Sequence, residues 1–146
     1  MLYALPTLTE EKISCYIRQN YQGSYNVNKS FGVEQFLSPL ILVAAGRFKQ
    51  VEVGTDLYNG ELIIRVETQI DDVLPTDPIA THDNTVATIY GLLEDSGAVL
   101  AAVNGGPAFN LWSIWVSSYE QGRDERNLIS IITYDINCQT LALANY

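Results

Sequence analysis

The sequence predicts an α+β fold: a four-stranded, mainly antiparallel sheet with helices on one face, in the order α-β-β-α(α)-β-β. Three observations carry the prediction. Leu62, Ile64, Val66, Thr68 and Ile70 alternate with Ile63, Arg65, Glu67, Gln69 and Asp71, the period of a strand with one face in a core and the other in water. Two other stretches, near the N-terminus and from Pro78 to about Glu94, repeat their apolar residues at helical spacing. The strand-like runs come in pairs separated by the second of these helices, without the strict alternation that builds a parallel sheet.

Thr7 and Glu10 have capping-box spacing, and Ile13, Tyr16, Ile17 and Tyr21 then recur on one side, so residues 8–20 read as an amphipathic helix. Residues 22–38 are rich in Gly, Ser and Asn and keep no sustained period, which makes them an irregular connection with at most a short helical turn around Val33 to Phe36. That is long for a loop inside a domain and suggests a part in binding or assembly. Pro39 opens a continuous apolar run, residues 40–45, closed by Gly46, whose length and flanks fit a buried strand. Residues 47–60 read as an excursion, with Asn59-Gly60 favouring a turn into the alternating strand.

Asp77 before Pro78 is a helix-start signal, and His82, Val86, Ile89, Tyr90 and Leu93 mark one face of the helix that follows. Asp95-Ser96-Gly97 stops it, and residues 98–103 have the composition of a short second helix before Asn104-Gly105-Gly106-Pro107. Two strands finish the fold: residues 110–119, with Trp112, Ile114 and Val116 on one face, and residues 128–138, with Leu128, Ile132, Tyr134 and Ile136 on one face. A polar hairpin connection, residues 120–127, joins them, and residues 139–146 are expected to be a flexible tail.

A length of 146 residues with 47% apolar and 10% aromatic content fits one domain with a sizeable core. The longest apolar run is far short of a bilayer span, and the N-terminus has neither the basic region nor the apolar core of a signal peptide, so a soluble chain that stays where it is made is expected. Cys15 and Cys138 have no metal-knuckle spacing and read as two buried, reduced thiols. The net charge of −9 is concentrated in the middle: between Val51 and Glu120 there are eleven acidic residues and one basic residue, Arg65. Sequence-specific or tight nucleic-acid binding needs a basic patch that this chain lacks.

No catalytic, cofactor or metal site is predicted. His82 is the single histidine, with Asp71, Asp72, Asp77 and Asp83 near it in sequence, a combination that can serve a general base or a hard cation. Its place on the same helical stripe as Val86 and Ile89 favours a packed structural histidine instead. The acidic residues lack EF-hand spacing, Gly105-Gly106-Pro107 is neither a phosphate-binding loop nor a dinucleotide fingerprint, and no Ser or Cys sits in a nucleophile elbow. For contacts with other subunits, the mixed-sign residues Arg47 and Lys49 after the first strand, and Arg123, Asp124, Glu125 and Arg126 in the hairpin, have the charge pattern that fixes register across an interface.

The element plan resembles the small tail-terminator and tail-completion proteins of tailed bacteriophages, which join head to tail at the neck. The likeness runs through Ser38-Pro39-Leu40-Ile41-Leu42-Val43, then residues 60–72, then His82-Asp83-Asn84-Thr85-Val86 to Leu93-Glu94-Asp95, then residues 111–136. The resemblance implies a virion structural protein made in the host cytoplasm: a hexameric ring that caps the tail tube, meets the neck or connector proteins and lets DNA pass through its channel. It implies no cofactor, no catalysis and no membrane. An acidic lining suits such a conduit, because it repels the DNA backbone. An unprotected edge strand would let subunits join by sheet extension. The competing expectations are a small-molecule-binding or hydrolytic domain with a pocket near His82, rimmed by Asp71 or Asp72, and a head-completion or adaptor protein.

Overall fold

The computed structural model describes residues 4–29, 39–52, 56–70, 78–104, 109–124 and 126–139. The elements are α1 (Ala4–Asn20), β1 (Asn26–Lys29), β2 (Leu40–Gln50), β3 (Leu57–Gln69), α2 (Pro78–Glu94), α3 (Ser96–Val103), β4 (Asn110–Asp124) and β5 (Asn127–Gln139). The expected turn at Val33 to Phe36, the acidic residues Asp71, Asp72 and Asp77, the glycine pair at 105–106, Glu125 and the tail from 140 onward lie outside the described residues.

The fold is α+β, but the sheet has five strands and not four, in the order β1-β2-β3-β5-β4. The extra strand, β1, lies within the stretch expected to be irregular and pairs in parallel with the first four residues of β2; every other neighbouring pair is antiparallel. Its sequence, Asn-Val-Asn-Lys, has no apolar alternation because it sits at the sheet margin with no fully buried position. The parallel pairing comes from β2, not from a period in β1.

β3 and β5 are long central partners in unbroken register over thirteen pairs, Leu57↔Gln139 to Gln69↔Asn127. Both alternate strictly, so Leu62, Ile64 and Val66 pair with Tyr134, Ile132 and Ser130 on one face while Ile63 and Glu67 pair with Thr133 and Ile129 on the other. The first face is covered by all three helices: Leu5, Ile13, Tyr16 and Ile17 of α1, Val86, Ile89 and Leu93 of α2, and Val99 and Val103 of α3 join these strand residues in one core. Each such burial contributes about 1.5–3 kcal/mol. The opposite face carries no helix among the described residues.

Several local features differ from the sequence reading. α1 begins at Ala4, so Thr7 lies inside the helix and Glu10 does not close a capping box; Glu10 is buried and its Oε2 accepts the Ala45 N–H at 2.9 Å. The supposed excursion at residues 47–60 is mostly strand: β2 continues to Gln50 and β3 starts at Leu57. Asn59-Gly60 is therefore mid-strand and not a turn. Gly60 is needed because a Cβ there would stand 2.3 Å from the Phe48 ring. Between Gly46 and Lys49 the β2 register shifts, and Arg47 takes a left-handed φ of 55° at the bulge.

β4 reaches Asp124, well past the expected end, and two bulges, at Leu111/Ser113 and Val116/Ser118, break its period. Trp112 falls on the first bulge, so it does not share a face with Ile114 and Val116. Asp95 does more than stop α2: its Oδ1 accepts the Ala98 N–H and caps α3, which starts at Ser96. Cys138 is buried as expected, whereas Cys15 is exposed, because its helix position faces away from the Ile13, Tyr16 and Ile17 stripe.

Candidate functional site

His82 is fully enclosed. Its Nδ1 lies 2.7 Å from Thr68 Oγ1 and its Nε2 lies 2.7 Å from Ser130 Oγ. Thr68 Oγ1 is in turn 2.6 Å from Tyr25 Oη, and Ser130 Oγ receives Gln121 Nε2 at 3.1 Å and lies 3.3 Å from Tyr119 Oη. Gln121 also donates to Asp83 Oδ1 at 3.1 Å. The ring therefore bridges β3 and β5 from α2, with a hydroxyl on each nitrogen. A neutral imidazole meets this pattern by donating at one nitrogen and accepting at the other. Burial holds its pKa below the ordinary imidazole value, against the smaller opposing pull of Asp83.

This arrangement does not make a hydrolytic centre. Ser130 Oγ is enclosed and shared among three side chains, which leaves no approach for a substrate carbonyl. Asp71 and Asp72, the expected rim, lie outside the described residues. Three surface clefts are lined instead by residues 20–25 with Thr81, Asn84, Thr85 and Thr88; by Tyr90, Leu93, Glu94, Ser96, Ile114, Trp115, Val116 and Tyr134; and by residues 120–123 with Ile129 and Ile131. His82 lines none of these. Among the described residues no cluster of His, Cys, Asp or Glu could hold a metal ion.

The surfaces are more informative. Of the six exposed large apolar residues among the described residues, four belong to β4: Trp112 (60% exposed), Trp115 (47%), Val116 (38%) and Tyr119 (49%). β4 is the outermost strand on its side of the sheet. Asn104 clamps its first turn of chain, donating to Leu111 O at 2.9 Å and accepting from Leu111 N, and beyond that point no side chain among the described residues caps the edge. The other side is guarded by α1: Glu10 takes the Ala45 N–H, and Arg18 donates from Nε and Nη2 to Val27 O at 3.3 and 2.9 Å.

The uncovered sheet face is acidic. Cross-strand register puts Glu61 and Glu67 of β3, Asp135 of β5 and Glu120 of β4 on it, against Arg65 and, at its end, Lys49. Arg65 pairs with Glu67 at 3.2 Å. Of the residues expected at an interface, the described cations are not one patch. Arg47 and Lys49 are exposed at the end of the sheet where β2 turns toward β3; Arg123 and Arg126 are exposed at the opposite end, beside the turn where Asp124 pairs with Asn127. Arg47 reaches Glu61 only at 3.8 Å with its own side chain 84% exposed.

No family model matches the sequence, and no curated protein matches it. Among solved structures, a chain in the virion of a native gene transfer agent (GTA) particle superposes with a TM-score of 0.63, at 13% sequence identity, over 89% of this chain and 93% of that one. The two chains share a fold.

Two site features escaped the sequence reading, and for the first a signal exists. Thr68 and Ser130 are polar residues at inward positions of otherwise apolar alternations, and such positions require a buried partner, here His82. Trp115 and Tyr119 are four residues apart, a spacing that a flat strand places on one face; the bulge at Val116/Ser118 sets Trp115 opposite Asp135 and Tyr119 opposite Ile132, on different faces.

Proposed function

We propose that this chain is a structural virion subunit that closes into a hexameric ring at the tail end or neck of a phage-like particle. In that role it caps the tail tube, meets the neck or connector proteins and surrounds the path of the DNA. The observation that carries the reading is the fold shared with a chain of a gene transfer agent virion over nearly the whole length of both. Three features of this chain support it. His82 is consumed by structural hydrogen bonds and offers no open nucleophile. The helix-free sheet face is lined with carboxylates, which keep a phosphate backbone from adhering if that face surrounds a channel. The exposed cations Arg47 and Lys49, and Arg123 and Arg126, lie at opposite ends of the sheet, where axial neighbours above and below a ring would be met.

Light scattering on the purified protein across concentration and salt tests the reading. A stable mass near six times the 16.2 kDa of one chain is expected. A monomer at every concentration, or turnover of ester or phosphoester substrates lost on His82→Ala, would overturn it.

A further inference from the structure

We propose that the cleft between the α2–α3 junction and β4 is a binding site for a primary alkylammonium group, of the kind carried by a lysine side chain or a small aliphatic amine. The site does not depend on how copies of the chain assemble. The cleft has a volume of about 180 Å³ and lies between stretches described without a break, residues 78–104, 109–124 and 126–139. Its apolar wall is Leu93 of α2 with Ile114 and Val116 of β4, which stand on the helix side of the sheet opposite Ile136 and Tyr134. Leu93 and Ile114 are buried, whereas Val116 stays 38% exposed, so an alkyl chain laid across it removes apolar surface from water.

The polar part of the cleft is one-sided. α2 and α3 meet at 72° with only Asp95 between them. α2 has no basic residue in its last turn, so the negative end of its dipole is uncompensated there, and Glu94, exposed at the mouth, adds a carboxylate. The positive end of α3 is already capped by Asp95. None of the chain's eight lysines and arginines lines the cleft, and Glu94 takes part in neither ion pair found among the described residues.

Tyr134 is an independent sign of a ligand. It is 2% exposed, it lines the cleft, and its hydroxyl has no hydrogen-bond partner among the described residues. Burial, and then the nearby Tyr90 and Glu94, push its pKa up, so it stays a neutral hydroxyl. Tyr90 and Glu94 both belong to the cleft wall, which puts the hydroxyl end of the ring on the cleft side. An ammonium group has three N–H donors and no acceptor. It can donate to Glu94 and to Tyr134 Oη while its methylenes cover Val116. An anion of the same length meets Glu94 as a like charge, and a neutral alcohol lacks the charge-assisted bond.

The test is titration of butylammonium chloride into the whole chain, labelled at its methyl groups and followed by NMR, with butanol and butyrate as probes of equal length. Saturable shifts centred on Leu93, Ile114 and Val116 are expected, with a Kd of roughly 1–10 mM for so small a ligand. Glu94→Gln should weaken binding by roughly tenfold or more. Tyr134→Phe keeps the ring and removes the unpaired hydroxyl; it should weaken binding by roughly threefold or more and leave the urea midpoint no lower than in wild type. A lowered midpoint with unchanged amine affinity would make Tyr134 structural and overturn its part in the site. Lysine blocked at both backbone ends distinguishes the sources: binding as tight as butylammonium assigns the site to a lysine side chain of a protein, and exclusion while butylammonium binds assigns it to a free amine. Butanol binding as tightly as butylammonium, full affinity in Glu94→Gln, or no shift of these methyls at roughly 100 mM would overturn the proposal.

Discussion

His82→Ala removes an imidazole that is fully enclosed and bonded at both nitrogens. The two 2.7 Å hydrogen bonds are each worth about 0.5–1.5 kcal/mol net. Neither hydroxyl is orphaned by the change. Thr68 keeps Tyr25 at 2.6 Å, and Ser130 keeps Gln121 at 3.1 Å, so the additional penalty for a stranded buried polar atom does not arise. The void left behind is the larger loss, since large-to-small changes in packed cores cost about 2–5 kcal/mol. Together these give about 3–8 kcal/mol, a substantial part of the ~5–15 kcal/mol that holds an ordinary domain. For a chain of this length that lowers Tm by roughly 10–30 °C. Urea and thermal unfolding followed by circular dichroism measure it. A loss below about 1 kcal/mol would refute the enclosed, doubly bonded histidine. Below its transition the variant should keep the wild-type oligomeric mass; a folded variant that no longer assembles would contradict a purely internal role.

The same histidine sets a pH dependence. Burial depresses its folded pKa, so its contribution to stability is fully present above the unfolded value of about 6.5 and is lost as pH falls below it, at no more than ~1.4 kcal/mol per pH unit. Urea midpoints between neutral and mildly acidic pH should fall more steeply in wild type than in His82→Gln, and equal slopes would contradict the assignment. Gly60→Ala drives a Cβ into the Phe48 ring and should cost about 1–3 kcal/mol, with Phe48→Ala in the same chain relieving most of the clash in a double-mutant cycle. Cys15 is exposed and should react with a thiol reagent at once, whereas Cys138, buried with its pKa pushed up to about 12, should react only on unfolding; equal rates would place Cys138 at the surface.

Much of the fold was legible because long central strands advertise themselves. β3 and β5 are bounded on both sides by neighbours and alternate without a break, so their period survives in the sequence. The margins were harder. β1 is four polar-flanked residues whose strand character comes wholly from pairing with β2, and no local propensity records a partner that is elsewhere in the chain. Asn59-Gly60 imitated a hairpin turn because the requirement for glycine there is space for Phe48, a long-range contact, and not a positive φ. Of the candidate site, the charged residues at 47, 49, 123 and 126 were visible as exposed cations, but their separation to opposite ends of the sheet depends on strand order. The bulges of β4 altered the faces of Trp112 and Tyr119 in the same way: a one-residue slip reverses every side chain beyond it.

The most direct test of the central claim is electron microscopy of the wild-type oligomer, with rotational symmetry read from end-on views. A closed six-fold ring around an open channel, faced by the sheet side that bears Glu61, Glu67, Glu120 and Asp135, is the predicted result. An isologous dimer, an open filament, or a closed particle with the helices turned toward its axis would contradict it.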